Sequence, residues 1–178
     1  MAIKMPSSEE TAQARRKLEL AKHEDAVVRL QKQIEEGQGD ALVHYQLGVA
    51  YLNLGQPVEA ITALKKALDI DPRFIHAWVN LAIIHHQMGE YGKAIEMNRR
   101  ALDIAPGFVP ARVNLGLALN GLGRYNEALD ELTSVLHLEP KMPQALAGLY
   151  EANMALKRID EAQRFRKLAE EAGVRFME

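Results

Sequence analysis

Two adjacent histidines, His85 and His86, close the apolar run in VNLAIIHHQMGEYGKA, residues 79–94. An imidazole can ligate a metal, move a proton, or donate and accept hydrogen bonds. Neighbouring residues on a helix point about 100° apart, so the pair cannot easily share one ion. His76 lies nearly three turns earlier on the same helical stretch, too far for joint coordination. No HxxxH, no HExxH and no carboxylate cluster accompanies either histidine. The spacing argues against a metal site, and neither a metal nor another cofactor is expected.

Other chemistry is equally poorly served. There is no GxGxxG, no GxxxxGK[ST] and no GxSxG; Gly121 and Gly123 read as a helix C-cap with no strand before them. The three serines, Ser7, Ser8 and Ser134, have no base nearby in sequence, and cysteine is absent. The acidic pairs Glu35–Glu36 and Glu170–Glu171 fall at helix ends and read as solvated. No enzyme activity is expected. A net charge of -2 lacks the basic footprint of a nucleic-acid binder and gives no attraction to an anionic bilayer. No run of 18 apolar residues exists and the N-terminus has no apolar h-region, so the expectation is a soluble, cytoplasmic chain without membrane insertion.

The elements that position these residues follow from a period. Pro72, Pro106 and Pro140 stand 34 residues apart, as do Gly55, Gly89 and Gly123, and Ala60, Ala94 and Ala128. Self-similarity at fixed spacing marks a repeat array. Each unit reads as two helices. In the first, apolar residues recur three and four apart, as in Leu47, Tyr51 and Leu54, Leu81, Ile84 and Met88, or Leu115, Ala118 and Leu122. The glycine ends it in the left-handed conformation, and the proline stops the second helix. Pro57 falls in a first turn, where no N–H is needed. Gly48, Ala82 and Gly116 share a register where a small side chain lets two helix axes approach. Lys65–Lys66 and Arg99–Arg100 fall on the outer face of the second helices.

These phrases (HYQLGVAY…A…L…A…P, WVNLAIIH…A…N…A…P and RVNLGLAL…A…L…V…P) resemble the tetratricopeptide repeat. The resemblance implies an all-α, right-handed α-solenoid of stacked antiparallel helix pairs. Its units would be 41–74, 75–108 and 109–142. A degenerate fourth unit and cap would occupy 143–178, where Tyr150 replaces the small residue, Lys157 the glycine and Val174 the proline. Residues 23–40 read as a degenerate leading half-repeat, and 1–22 as a polar, helical extension. In register, His85 replaces Tyr51 and Leu119, while Asn98 replaces Leu64 and Leu132. Two positions that should touch are thus both polar, and a hydrogen bond between His85 and Asn98 is expected.

The resemblance further implies a concave side, lined by first helices, that holds a peptide or a helix. Its residues would be Tyr45, Gln46, Val49 and Asn53, then His76, Val79, Asn80, Ile83, His86 and Gln87, then Val113, Asn114, Leu117 and Asn120, with Gly148 and Glu151 in the fourth unit. Gln46, Asn80 and Asn114 share one register. A ladder of amides can donate to and accept from an extended backbone whatever its sequence. The valines, Ile83, Leu117 and Tyr45 would form an apolar floor. The family's carboxylate clamp for chaperone tails, built on Lys and Asn in the first unit and Lys and Arg in the third, is not reproduced: the corresponding positions hold Tyr45, Val49, Pro110 and Asn114, and only Asn80, in the second unit, matches. The expected role is an interaction scaffold or adaptor for an apolar or amphipathic protein segment. The alternatives are a self-assembling structural protein joined through its terminal helices, and the substrate-recruiting arm of a larger complex or enzyme.

Overall fold

The computed structural model describes residues 8–176, and all regular structure among them is α-helical. The order is α1 Ser8–Glu35, α2 Ala41–Asn53, α3 Pro57–Ile70, α4 Ile75–Gln87, α5 Tyr91–Ile104, α6 Val109–Gly121, α7 Tyr125–Leu138, α8 Pro143–Ala155 and α9 Ile159–Glu171. Two compact units divide the chain, the first ending at Ala77 and the second beginning at Trp78. In the first, Leu30 of α1 packs with Leu47 of α2 and Ala63 of α3, flanked by Ala26, Val27 and Ile34. The stretch read as a leading half-repeat is therefore the C-terminal half of one continuous helix, with no break at residue 22. Residues 1–7 of the extension lie outside the described residues. In the second unit α6 packs on α5 and α7, and α8 on α7 and α9.

Each first helix stops by the same device. Gly55, Gly89 and Gly123 take φ of +70°, +74° and +79°. Their N–H groups donate to Leu52, His86 and Asn120, and the next N–H reaches back to Tyr51, His85 and Leu119 at 2.8–2.9 Å. These paired bonds satisfy carbonyls the helix end would leave orphaned. Met88 and Leu122, the last members of the apolar recurrence in their helices, sit in these turns and are about half exposed. Each second helix ends in an extended residue (Asp71, Ala105, Glu139) immediately before the proline, whose ring disfavours helical geometry there.

In the fourth repeat the turn persists without its glycine. Lys157 holds φ +58° and keeps both reaching-back bonds, from its own N–H to Met154 and from Arg158 to Asn153. A side chain in this region costs about 1–2 kcal/mol, of which glycine's greater unfolded-state entropy would offset part. Lys157→Gly is therefore expected to stabilise the fold by about 0.5–1 kcal/mol in a urea melt; a loss of stability would show that the lysine stem contributes packing that outweighs the strain.

The small-residue register sets the helix spacing within each pair. A Cβ on Gly48 would lie 2.7 Å from Leu64 Cγ, and one on Gly116 would lie 2.5 Å from Leu132 Cγ. Where the second repeat carries Ala82, the register that holds those leucines carries Asn98, and both residues are buried. The expected His85–Asn98 bond does not form. Asn98 Nδ2 turns back to the Ala94 carbonyl of its own helix at 3.0 Å, and its Oδ1 is buried without a partner. His85 Nδ1 instead meets Glu90 Oε2 at 2.6 Å. The physical reason is reach and charge: Glu90 stands in the turn five residues on, and a carboxylate is a stronger acceptor than an amide. Hydrogen bonds from Lys93 and then His85 hold the Glu90 carboxyl below its ordinary range.

Candidate functional site

In the second unit α4, α6 and α8 present one face. Ala82, Ile83, His86 and Gln87 of α4 meet Asn114 and Leu117 of α6 around a hollow of about 120 Å³. A second, open hollow, about 480 Å³, shares His86 and Leu117 and is further lined by Tyr91, Asn120, Gly121, Tyr125, Glu151 and Ala155. The structure thus places Ile83, His86, Gln87, Asn114, Leu117, Asn120 and Glu151 around these two hollows.

Asn80 and Asn114 are half-buried, and neither side chain hydrogen-bonds to another described residue. An amide held at a surface without an internal partner keeps both donor and acceptor capacity for something else. Asn120 differs. It is buried, its Nδ2 donates to the Gly148 carbonyl at 2.7 Å, and its Oδ1 has no partner. Its donor pins α6 to α8 rather than facing outward. Gly148 stands in the amide register of the fourth repeat, and a Cβ there would lie within 3 Å of Leu132 and Leu117. The ladder therefore ends at Asn114.

Val79 and Val113 are not floor residues: they are 6% and 5% exposed, and Val113 packs with Leu132, Val135, Ala145 and Leu149. Their register turns toward the neighbouring helix, so the apolar floor of this face is Ile83 and Leu117. In the first unit Tyr45 is half-buried against Phe74, ring centroids 4.9 Å apart, with His76 at 6.3 Å. Val49 there is half-buried, while Gln46, Asn53 and His76 are exposed.

Two lining residues had no place in the sequence expectation. Tyr91 and Tyr125 open α5 and α7, 34 residues apart. A side chain at Gly121 would collide with Tyr91, whose ring stacks edge-on against His86 at 5.2 Å. Ala155 supplies the small residue one repeat later. Glu151 also lines this hollow; it is exposed on one side, and the water its neighbours withhold raises its carboxyl from the ordinary value, an effect His86 opposes. Among the described residues no cation pairs with it. No group of three or more His, Asp or Glu side chains there could hold a metal, and no helix is long and apolar enough to cross a membrane.

A crystal structure of MamA is 22% identical, covers 96% of each chain and superposes with a TM-score of 0.79. PilF of Pseudomonas aeruginosa is 21% identical over 94% of this chain and 79% of its own, with a TM-score of 0.76. The first tetratricopeptide-repeat domain of Spaghetti (RPAP3), bound to the HSP90 peptide SRMEEVD, is 27% identical over 66% of this chain and 94% of its own, at 0.64. No curated protein matches in sequence. These likenesses fix the fold as an all-α repeat solenoid. Tetratricopeptide-repeat models match residues 41–74, 76–108 and 119–172, two thirds of the sequence, and the chain belongs to the tetratricopeptide-repeat family.

Proposed function

We propose that the α4–α6–α8 face of the second unit holds a segment of a partner protein, and that the chain works as an interaction scaffold or adaptor. Family membership supports a protein–protein interaction role. The observation that carries the finer reading is a pair of uncommitted amides: Asn114 lines an open hollow floored by Ile83 and Leu117, and Asn80 precedes Ile83 by three residues on α4, in the register of that face. Amides supply sequence-tolerant hydrogen bonds to a backbone, and the apolar floor supplies area to bury. An acidic tail such as SRMEEVD suits this face poorly. The only lysine or arginine on α4, α6 or α8 is Arg112, which is engaged by Glu131 at 2.8 Å and the Pro106 carbonyl at 2.7 Å. Glu151 would repel a second carboxylate. The occupant this favours is apolar or amphipathic.

The test uses peptides selected from a random display library on the intact protein. Asn80→Ala with Asn114→Ala removes two backbone contacts and is expected to weaken the best peptide roughly tenfold to thirtyfold, with helicity unchanged. Unchanged affinity would take the amides out of the mechanism.

A further inference from the structure

We infer that the hollow between Tyr91, Tyr125 and Glu151 is a subsite for a cationic side chain, a lysine or arginine, carried by the segment that the neighbouring face binds; this assignment rests on that reading and gives its partner a chemistry. The lining is built for a cation in three respects. Glu151 offers a carboxylate with no lysine or arginine paired to it among the described residues, His86 alone acting on it electrostatically. Tyr91 and Tyr125 line the same space, and aromatic faces attract ammonium and guanidinium groups. Leu117 and Ala155 give an apolar bed for the methylene stem of such a side chain, which buries its carbons while its charge seeks a partner.

The arrangement is also specified locally. Gly121 leaves room for the Tyr91 ring, and His86 fixes that ring from α4. Glu151 is exposed to solvent on one side while its hollow-side neighbours withhold some water, which raises its carboxyl; a ligand cation seated in the hollow would act in the opposite direction, as His86 already does in part. At about 480 Å³ the hollow exceeds what one lysine or arginine head fills, so it would also admit part of the backbone that carries it.

The experiment separates the subsite from the face. Ethylguanidinium chloride is titrated into the intact protein while the ring resonances of Tyr91 and Tyr125 are followed by NMR, with ethylurea as the neutral isostere. Saturating shifts with ethylguanidinium, absent with ethylurea, and weakened about tenfold or more in Glu151→Gln are expected. The Asn80→Ala, Asn114→Ala double variant should bind the cation as the wild type does. Equal shifts from the neutral probe, or unaltered cation affinity in Glu151→Gln, would overturn the assignment. In parallel, display libraries panned on wild type and on Glu151→Gln should differ in lysine and arginine content at one peptide position. Cation binding without any selected peptide would refute the peptide-binding face and leave the subsite standing as a site for small cations. Selected peptides without a cationic preference would do the reverse.

Discussion

Leu132→Ala is expected to lower the stability of the protein by about 3–5 kcal/mol, with Tm falling on the order of 10 °C. Leu132 is fully buried and belongs to the cluster of Val113, Val135, Ala145 and Leu149. It also serves two repeats at once. Its Cγ fills the space that Gly116 leaves on α6, and its Cδ1 fills the space that Gly148 leaves on α8. Truncation therefore opens a hole bounded by three helices, which cannot all move inward together. The lost transfer energy and the unfilled cavity add, which puts the change at the upper part of the range for leucine-to-alanine substitutions. Urea melts followed by circular dichroism measure it. A loss under about 1 kcal/mol would mean that α6 and α8 close over the gap and that the two glycines do not fix the spacing.

That packing was partly open to sequence reading, and the boundary is instructive. The repeat could be seen because its period is enforced by backbone events that only glycine and proline perform cheaply: a left-handed residue ending one helix and an extended residue before the next turn. The Gly48, Ala82 and Gly116 register was also visible as close approach. What register cannot supply is the hydrogen-bonding competition inside one repeat. His85 and Asn98 replace residues that face each other elsewhere, yet each found a nearer partner, Glu90 in the turn and the Ala94 carbonyl one helical turn back. Short-range partners win because holding them costs little additional chain entropy.

The candidate site divides in the same way. Ile83, His86, Gln87, Asn114 and Leu117 gather as the helical period requires. Val79 and Val113 do not, because residues that share a helix with the open face can still lean into the adjacent helix, and periodicity alone does not distinguish an exposed stripe from a buried one. Tyr91 and Tyr125 could have been found. Their signal was the joint appearance of an aromatic residue opening α5 and α7 and a small residue, Gly121 or Ala155, in the register that carries Asn53 and Gln87 earlier. The pairing of large with small across 30 residues is a packing statement, invisible when each position is read alone.

Gly116→Val is expected to cost about 3 kcal/mol, and its cost should shrink when Leu132 is already alanine. The first expectation follows from space. The new Cβ would stand 2.5 Å from Leu132 Cγ and 2.6 Å from its Cδ2, and the two γ-methyls of valine have fewer rotamers by which to avoid them. Leu132 cannot yield, since Gly148 and Leu149 of α8 close its far side. The helices must separate, which disturbs the Asn120–Gly148 bond that ties α6 to α8. The second expectation follows from volume. In the double variant the valine enters the hole left by the truncated leucine, so the two losses should fall short of their sum by about 1–3 kcal/mol. A double-mutant cycle in urea measures this coupling directly. Strict additivity would mean that residues 116 and 132 do not compete for one space, and that the glycine of this register is kept for some reason other than the approach of the helix pair.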